Sequence, residues 1–258
     1  MFSTTSSAKP LPPAVAEWLT SNHEPIASKD KADSRTIIRL AQTLNRPTLD
    51  PWFYNNVHGV HPAAHLMYCT EGGNTNTLFS DGYFPTFRPP APFTVCMWGG
   101  GTVHFHDSAF ANEDLYSLSR ISKPVLKHGR SGDFILVSRT TDYVKAKKEK
   151  HWIRHVVDTV YRDENAPKQT SEPVLTPEQE AARARKLVQG TDYDFERTEP
   201  FVSTPETLFR FSALTWNSHK IHYNEPFAKA DGHNGVLVHG PLQATVLLDF
   251  AGQVRCLL

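Results

Sequence analysis

Two stretches near the end of the chain decide its reading: Phe211-Ser-Ala-Leu-Thr-Trp-Asn-Ser-His-Lys-Ile-His-Tyr223 and Gly235-Val-Leu-Val-His-Gly-Pro-Leu-Gln243. From Asn217 to His239 they hold, with the segment joining them, four histidines: His219, His222, His233 and His239. The second stretch closes on Gly240-Pro241 and opens an apolar run, Pro241–Ala251, that reads as a helix with Gly252 as its stop. A helix N-terminus carries unpaired N–H groups and the positive end of the dipole, so it can polarise a carbonyl or hold an oxyanion. A neutral histidine beside it can take or give a proton near pH 7. Base plus oxyanion site is the kit for removing a proton alpha to a carbonyl.

Other chemistries fit less well. His219 and His222 are three apart, as two ligands on one helical face would be, but no Asp, Glu or Cys at ligand spacing accompanies them and HExxH is absent. No metal site is therefore expected. Nucleophilic catalysis lacks a GxSxG, and Ser218 has no evident acid partner. Gly99-Gly-Gly101 is no dinucleotide fingerprint, because its glycines are consecutive and open a strand; it reads as a bulge or a close-packing turn. The same histidine spacing also suits polar side chains that merely line a half-buried loop, and spacing alone leaves that open.

Outward from this region, Asp33–Leu44 has helical periodicity (Ile37, Ile38, Leu40, Ala41, Leu44) and is stopped by Pro47. Residues 70–93 are rich in Gly, Pro and Asn and read as a long loop. Strand patterns follow at Thr94–Trp98, Thr102–Phe105, Tyr116–Ile121, Phe134–Thr140 and His151–Tyr161, with a hairpin turn expected within Lys127–Asp133. An early helix before several such strands suggests an antiparallel sheet with a helix on one face. Asp163–Pro173 is polar and reads as a linker; Pro177–Val188 reads as a charged helix with Thr176 as N-cap and Gly190 as its stop.

The balance of 27 basic against 27 acidic residues argues against a nucleic-acid binder, and no apolar run approaches the roughly 18 residues that span a bilayer. Three scattered cysteines exclude a disulfide scaffold or cysteine zinc site and suit a reducing compartment. The first ten residues lack the apolar core of a secretory signal, and Cys-Leu-Leu is not a peroxisomal tripeptide. An intracellular location is expected.

The two opening stretches, together with Arg39-Leu-Ala-Gln-Thr-Leu-Asn45, Met97-Trp-Gly-Gly-Gly-Thr-Val-His-Phe105 and His128-Gly-Arg-Ser-Gly-Asp-Phe134, resemble the MaoC-like hydratase/dehydratase family. The branch they resemble is that of 3-hydroxyacyl-thioester dehydratase type 2 and mesaconyl-C4-CoA hydratase. The resemblance covers roughly residues 30–258 in order. It implies an α+β double hotdog, each half a curved antiparallel sheet around a central helix. The implied division is an N-terminal extension (1–29), an N-terminal hotdog (30–162), a linker with a charged helix (163–200) and a C-terminal part with the catalytic loop and central helix (201–258). The strands that close the second sheet in the family would follow Gly252, so that hotdog is expected to be truncated and to expose the apolar residues of Val246–Ala251.

The resemblance places His222 as the proton-transferring residue. Asn217 stands where the wider family has Asp; an amide can orient a hydroxyl or water but not exchange its proton. The N–H groups of Gly240 and Leu242 would bind the thioester oxygen, Pro241 having none. His219, His239 and Trp98 would line the site, and Phe105 is a further candidate wall, though core packing suits both aromatics better. The implied reaction is reversible syn removal of water from a (3R)-3-hydroxyacyl-CoA or acyl-carrier thioester, without metal, nicotinamide or flavin. The implied partners are the thioester substrate and, for a clipped double hotdog, a second copy in a homodimer. Mitochondria are the favoured compartment, with cytoplasm or peroxisome as alternatives. A non-catalytic relic that binds an acyl thioester or a partner chain, and an acyl-CoA thioesterase, stand as alternatives.

Overall fold

Asp33 ends one element and starts the next. Its carboxylate accepts the Thr36 N–H at 3.0 Å and the Thr36 hydroxyl at 2.6 Å, capping helix α2 (Ser34–Thr43). Ile37, Leu40 and Ala41 recur at helical spacing along it and are buried. The computed structural model describes residues 10–46, 61–70, 72–84, 86–107, 112–129, 132–145, 150–166, 176, 178–179 and 201–255.

Before α2 lie a short helix, α1 (Pro13–Thr20), inside the expected extension, and an edge strand, β1 (Ile26–Lys31), that crosses its expected end at residue 29. Their periodic patterns are too short to stand out. The other strands are β2 (Val95–Phe105), β3 (Asp114–Ile121), β4 (Val125–Gly129), β5 (Gly132–Lys145) and β6 (Lys150–Arg162). They form one antiparallel sheet of order β1-β3-β5-β6-β2, with β4 folded onto β5 as a hairpin closing at Gly129 and Gly132. The two short strands expected at 94–105 are one strand. The three glycines sit inside it, with a bulge between Trp98 and Gly100. Gly100 has φ +145°, and a Cβ on Gly101 would collide with the Val156 carbonyl.

Strand alternation puts Val137, Arg139, Thr141 and Tyr143 of β5 on the same face as His155, Val157, Thr159 and Tyr161 of β6. Two apolar clusters hold the ends of this face. At one end Ile37, Leu40 and Leu44 of α2 meet Leu115, Tyr143 and Ile153; at the other Val15 of α1 meets Phe93, Ile135 and Tyr161.

Residues 201–255 contribute α3 (Pro205–Thr215), α4 (Glu225–Ala230) and α5 (Gly240–Arg255) and, among the described residues, no strand. Thr204 and Asn224 cap α3 and α4 by accepting the N–H of Thr207 and Phe227. Leu208, Phe211 and Leu242 enter the α2 cluster, so one core joins the two halves. A bidentate pair between Arg46 and Asp249, joined by His61, ties the end of α2 to α5. Gly252 does not stop α5, which continues to Arg255; a glycine inside a helix costs only about 1 kcal/mol, and Gln, Val and Arg follow it. Leu247 on α5 and Phe209 on α3 are 67% and 70% exposed, while Val246, expected to be exposed with Leu247, packs against the shared core. Of the charged helix, Gln179 donates its N–H to Thr176 Oγ1 at 3.3 Å, as the expected cap requires; the rest lies outside the described residues.

Candidate active site

Helix α3 ends at Trp216, whose left-handed backbone (φ 54°) swings the chain outward while Asn217 N–H still reaches the Ser212 carbonyl at 2.9 Å. Asn217 Oδ1 then accepts the N–H of His219 at 3.0 Å, which leaves its amide hydrogens for a ligand. A 3₁₀ turn, Lys220–His222, carries His222 inward, where it is 7% exposed.

A loop from the first half fixes this segment. Ser218 donates its hydroxyl to Gly82 O at 2.5 Å, Lys220 N–H donates to Asp81 O at 2.8 Å, and Lys220 Nζ donates to Ser80 O at 2.7 Å. Gly82, at φ +79°, is required here because a Cβ would lie 2.5 Å from the Ser218 carbonyl oxygen.

His222 Nδ1–H donates to the Leu237 carbonyl at 2.8 Å, so the neutral ring keeps its lone pair on Nε2. Its ring stacks on that of His239 with centroids 3.6 Å apart, and His239 Nε2 meets the Ser212 hydroxyl at 2.8 Å. Burial lowers the pKa of His222, with the Leu237 hydrogen bond opposing. Burial, then His222 and His219, push His239 down to about 3. Burial takes His219 down to about 4 although Asp81, 4.0 Å away, pulls the other way. Two stacked imidazoles cannot both carry charge at low cost, so the arrangement holds His222 neutral and able to accept a proton.

Helix α5 begins beside this pair. His239 O accepts the Gln243 N–H at 3.1 Å, making His239 the N-cap residue, and the N–H groups of Gly240 and Leu242 fall in the first turn, where no intrahelical acceptor exists. Gly240 lets Trp98 of β2 approach: a Cβ there would sit 3.0–3.2 Å from the indole.

These groups face a cavity of about 1110 Å³ between the sheet and residues 209–248. Of the residues expected at the site, His222, Asn217, His219, Gly240 and Trp98 line it. His239 and the Leu242 side chain are fully buried and do not; His239 packs against His222, and Leu242 belongs to the core joining the halves. Trp98 and Phe105, 44% and 47% exposed, are not core residues, and Phe105 lies outside the cavity wall. Among the described residues no group of three or more His, Cys, Asp or Glu is placed to hold a metal ion, and no helix is long and apolar enough to cross a membrane. Sequence reasoning missed Ser212, the Leu237 carbonyl and the Asp81-Gly82 turn. The Asp-Gly pair is a turn signal, but nothing local says what the turn would hold.

A profile of the family described as hydroxyacyl-thioester dehydratase type 2 matches residues 63–255. The protein named mesaconyl-C(4)-CoA hydratase of Chloroflexus aurantiacus is 33% identical over 193 residues, 74% of this chain and 63% of its own length. The mitochondrial hydroxyacyl-thioester dehydratase type 2 of Schizosaccharomyces pombe is 23% identical over 211 residues, 75% of this chain and 67% of its own. The chain thus spans about two thirds of the length of these relatives. Among solved structures, a MaoC-like dehydratase from Phytophthora capsici matches with a TM-score of 0.55 at 13% identity, over 94% of this chain and 76% of that one. The full-length peroxisomal multifunctional enzyme type 2 from Drosophila melanogaster matches with a TM-score of 0.55 at 13% identity, over 89% of this chain and 38% of that one. At such identities the likeness speaks for the fold alone, which is the α+β hotdog.

Proposed function

The chain belongs to the hydroxyacyl-thioester dehydratase type 2 family, and on that premise we propose that it catalyses reversible removal of water from a 3-hydroxyacyl thioester. The observation that carries the reading is a neutral His222, its Nδ1–H tied to Leu237 O, on one cavity with the Asn217 amide and the start of α5. In the dehydration direction His222 Nε2 takes the alpha proton, and negative charge moves onto the thioester oxygen. The first-turn N–H groups of α5, Gly240 foremost, stabilise that charge. The Asn217 amide donates to the 3-hydroxyl. As the C–O bond breaks, the proton on His222 passes to the departing oxygen, giving water, the trans-2-enoyl thioester and a neutral base ready for the next cycle. One base serving both transfers accounts for syn geometry.

The substrate is proposed to be a coenzyme A or acyl-carrier thioester and the compartment mitochondrial, as the name of the fission-yeast relative suggests. Imaging of the tagged full-length chain tests the compartment; a signal outside mitochondria overturns it. The function is tested by following loss of enoyl-thioester absorbance with crotonyl-CoA, a longer trans-2-enoyl-CoA and mesaconyl-CoA. Turnover that disappears in His222→Ala is expected. A folded protein inactive on all of them, or one indifferent to the substitution, refutes the reading.

A further inference from the structure

The catalytic groups use one side of the cavity, and the sheet forms the other. One level of that sheet carries a polar band in register across three strands: Ser119 on β3 pairs with Thr141 on β5, which pairs with His155 on β6. Strand alternation turns all three toward the cavity, which they line. Ser119 and Thr141 are buried, and their hydroxyls share one hydrogen bond at 2.9 Å. Two hydroxyls that share one bond keep one hydrogen for a further acceptor.

His65 packs at the β6 end of this band. It is fully buried yet lines the cavity, and its ring stands edge-on to His155 and Tyr143, at 4.9 and 5.5 Å between centroids. Its Nδ1–H donates to Pro62 O at 2.9 Å, which fixes the tautomer and leaves a lone pair on Nε2. Among the described residues Nε2 has no hydrogen-bond partner. A buried polar atom without a partner is costly and needs an explanation. Both histidines are uncharged near neutral pH: burial takes His65 down to about 4, and burial, then His65 and Arg139, takes His155 down to about 3. Band and histidine together thus present one spare hydrogen and one spare lone pair, both on neutral groups.

We infer that this part of the cavity is a hydroxyl subsite: His65 Nε2 accepts from, and the Ser119–Thr141 pair donates to, an alcohol carried by the acyl chain beyond its reacting carbons. The inference rests on the thioester reading above and sharpens it: the preferred acyl group bears a second, distal hydroxyl. A hydroxyl is the smallest group that gives a hydrogen to one partner and a lone pair to another. A methyl-ended chain at the same place leaves the His65 lone pair and the band's spare hydrogen buried and unpaired. A site built around a substrate hydroxyl discriminates against the analogue that lacks it for this reason.

The test is calorimetric binding of saturated acyl-CoAs, which cannot be hydrated, to the full chain. Each ω-hydroxyacyl-CoA from 6-hydroxyhexanoyl to 10-hydroxydecanoyl is compared with the methyl-ended thioester of equal chain length, heptanoyl to undecanoyl. At one length the hydroxylated ligand should bind at least about fivefold more tightly, the size of one neutral hydrogen bond. His65→Phe keeps an aromatic ring but has no acceptor, and should abolish that preference. The double variant Ser119→Ala/Thr141→Val, which removes both hydroxyls, should lower it about threefold. No preference at any length overturns the subsite, as does binding of neither series. A folded His65→Phe that keeps the preference does the same. Should His65→Phe fail to fold, an unchanged preference in the double variant overturns the subsite and a lowered one supports it. Hydration lost in His222→Ala, with no hydroxyl preference, would leave the proposed function standing without the subsite. The preference without turnover would do the reverse.

Discussion

The sheet of residues 26–162 and the helical segment of residues 201–255 meet across one cavity but are built on opposite principles. The segment assembles its chemistry locally: Asn217, His219 and His222 lie within six residues, and Leu237 to Leu242 supply the carbonyl, the stacked ring and the helix start. The sheet assembles its wall from distant residues, placing Ser119, Arg139 and Val157 on one face only through strand register. The lesson is that reactive groups can be carried on a short segment whose backbone spacing suits them. The wall that faces them is a surface that exists only after the chain has folded.

The largest effect should come from the segment alone. His222→Ala is expected to lower kcat about 10²- to 10⁴-fold, the usual worth of a general base, with a melting temperature close to wild type. Steady-state kinetics and a thermal melt check both halves of the statement; a large drop in melting temperature would mean that base and scaffold are not separable. Next is the core that joins the regions. Phe211, fully buried between α2 and the sheet, should cost about 3–5 kcal/mol when cut to Ala, read by urea unfolding with all probes moving together. Separate transitions for the two regions would break the picture of one shared core.

Acid should also loosen the fold around the buried His65. His65 is neutral and fully buried, its pKa taken by burial from 6.5 to about 4. The unfolded chain therefore binds the proton first, and stability present above pH 6.5 falls as pH drops toward 4, by about 3 kcal/mol from this residue alone. Asp249 adds to the loss at lower pH. Burial raises its pKa, but His61 and Arg46 more than reverse that, so its share is present above the ordinary carboxylate value and vanishes as pH falls through the lowered one. Because the His222 pKa is also lowered, the acid limb of kcat/KM should lie below pH 6.5. A stability curve flat between pH 7 and 4.5 would contradict the buried neutral histidines. The smallest effect is expected at Ser212, whose hydroxyl meets His239 Nε2. Ser212→Ala should lower kcat about fivefold with little change in KM, the worth of one hydrogen bond that positions the His222 partner.

Much of the segment was legible because its signals are local. Pro241 in the first turn of α5 and the histidine spacing each depend on neighbours within a few residues, as does Thr176 as a cap ahead of the segment. The resemblance to the MaoC-like family was legible for the same reason, since its motifs are short and stand in order. What escaped was either weakly periodic or stabilised from afar. The strand β1 reads as polar, Ile-Ala-Ser-Lys-Asp-Lys, and exists because β3 pairs with it. Gly252 looked like a stop, but the helix carries through it. His239 looked like a lining residue; its neighbour in the stack, His222, is 17 positions away, and only folding puts His239 behind it.

By itself, then, the sequence held the close histidine spacing, an amide at Asn217 and an apolar run opening on Gly240-Pro241, and the family resemblance gave these their expected roles. Tertiary structure alone decided which nitrogen of His222 keeps its lone pair, through a carbonyl 15 residues away, and that the Asp81-Gly82 turn holds the loop carrying Asn217 and His222. It also decided that Arg139 faces the cavity. The physical reason is that hydrogen-bond partners and cavity walls are set by strand register and loop docking, and these contacts form between residues that no local pattern relates.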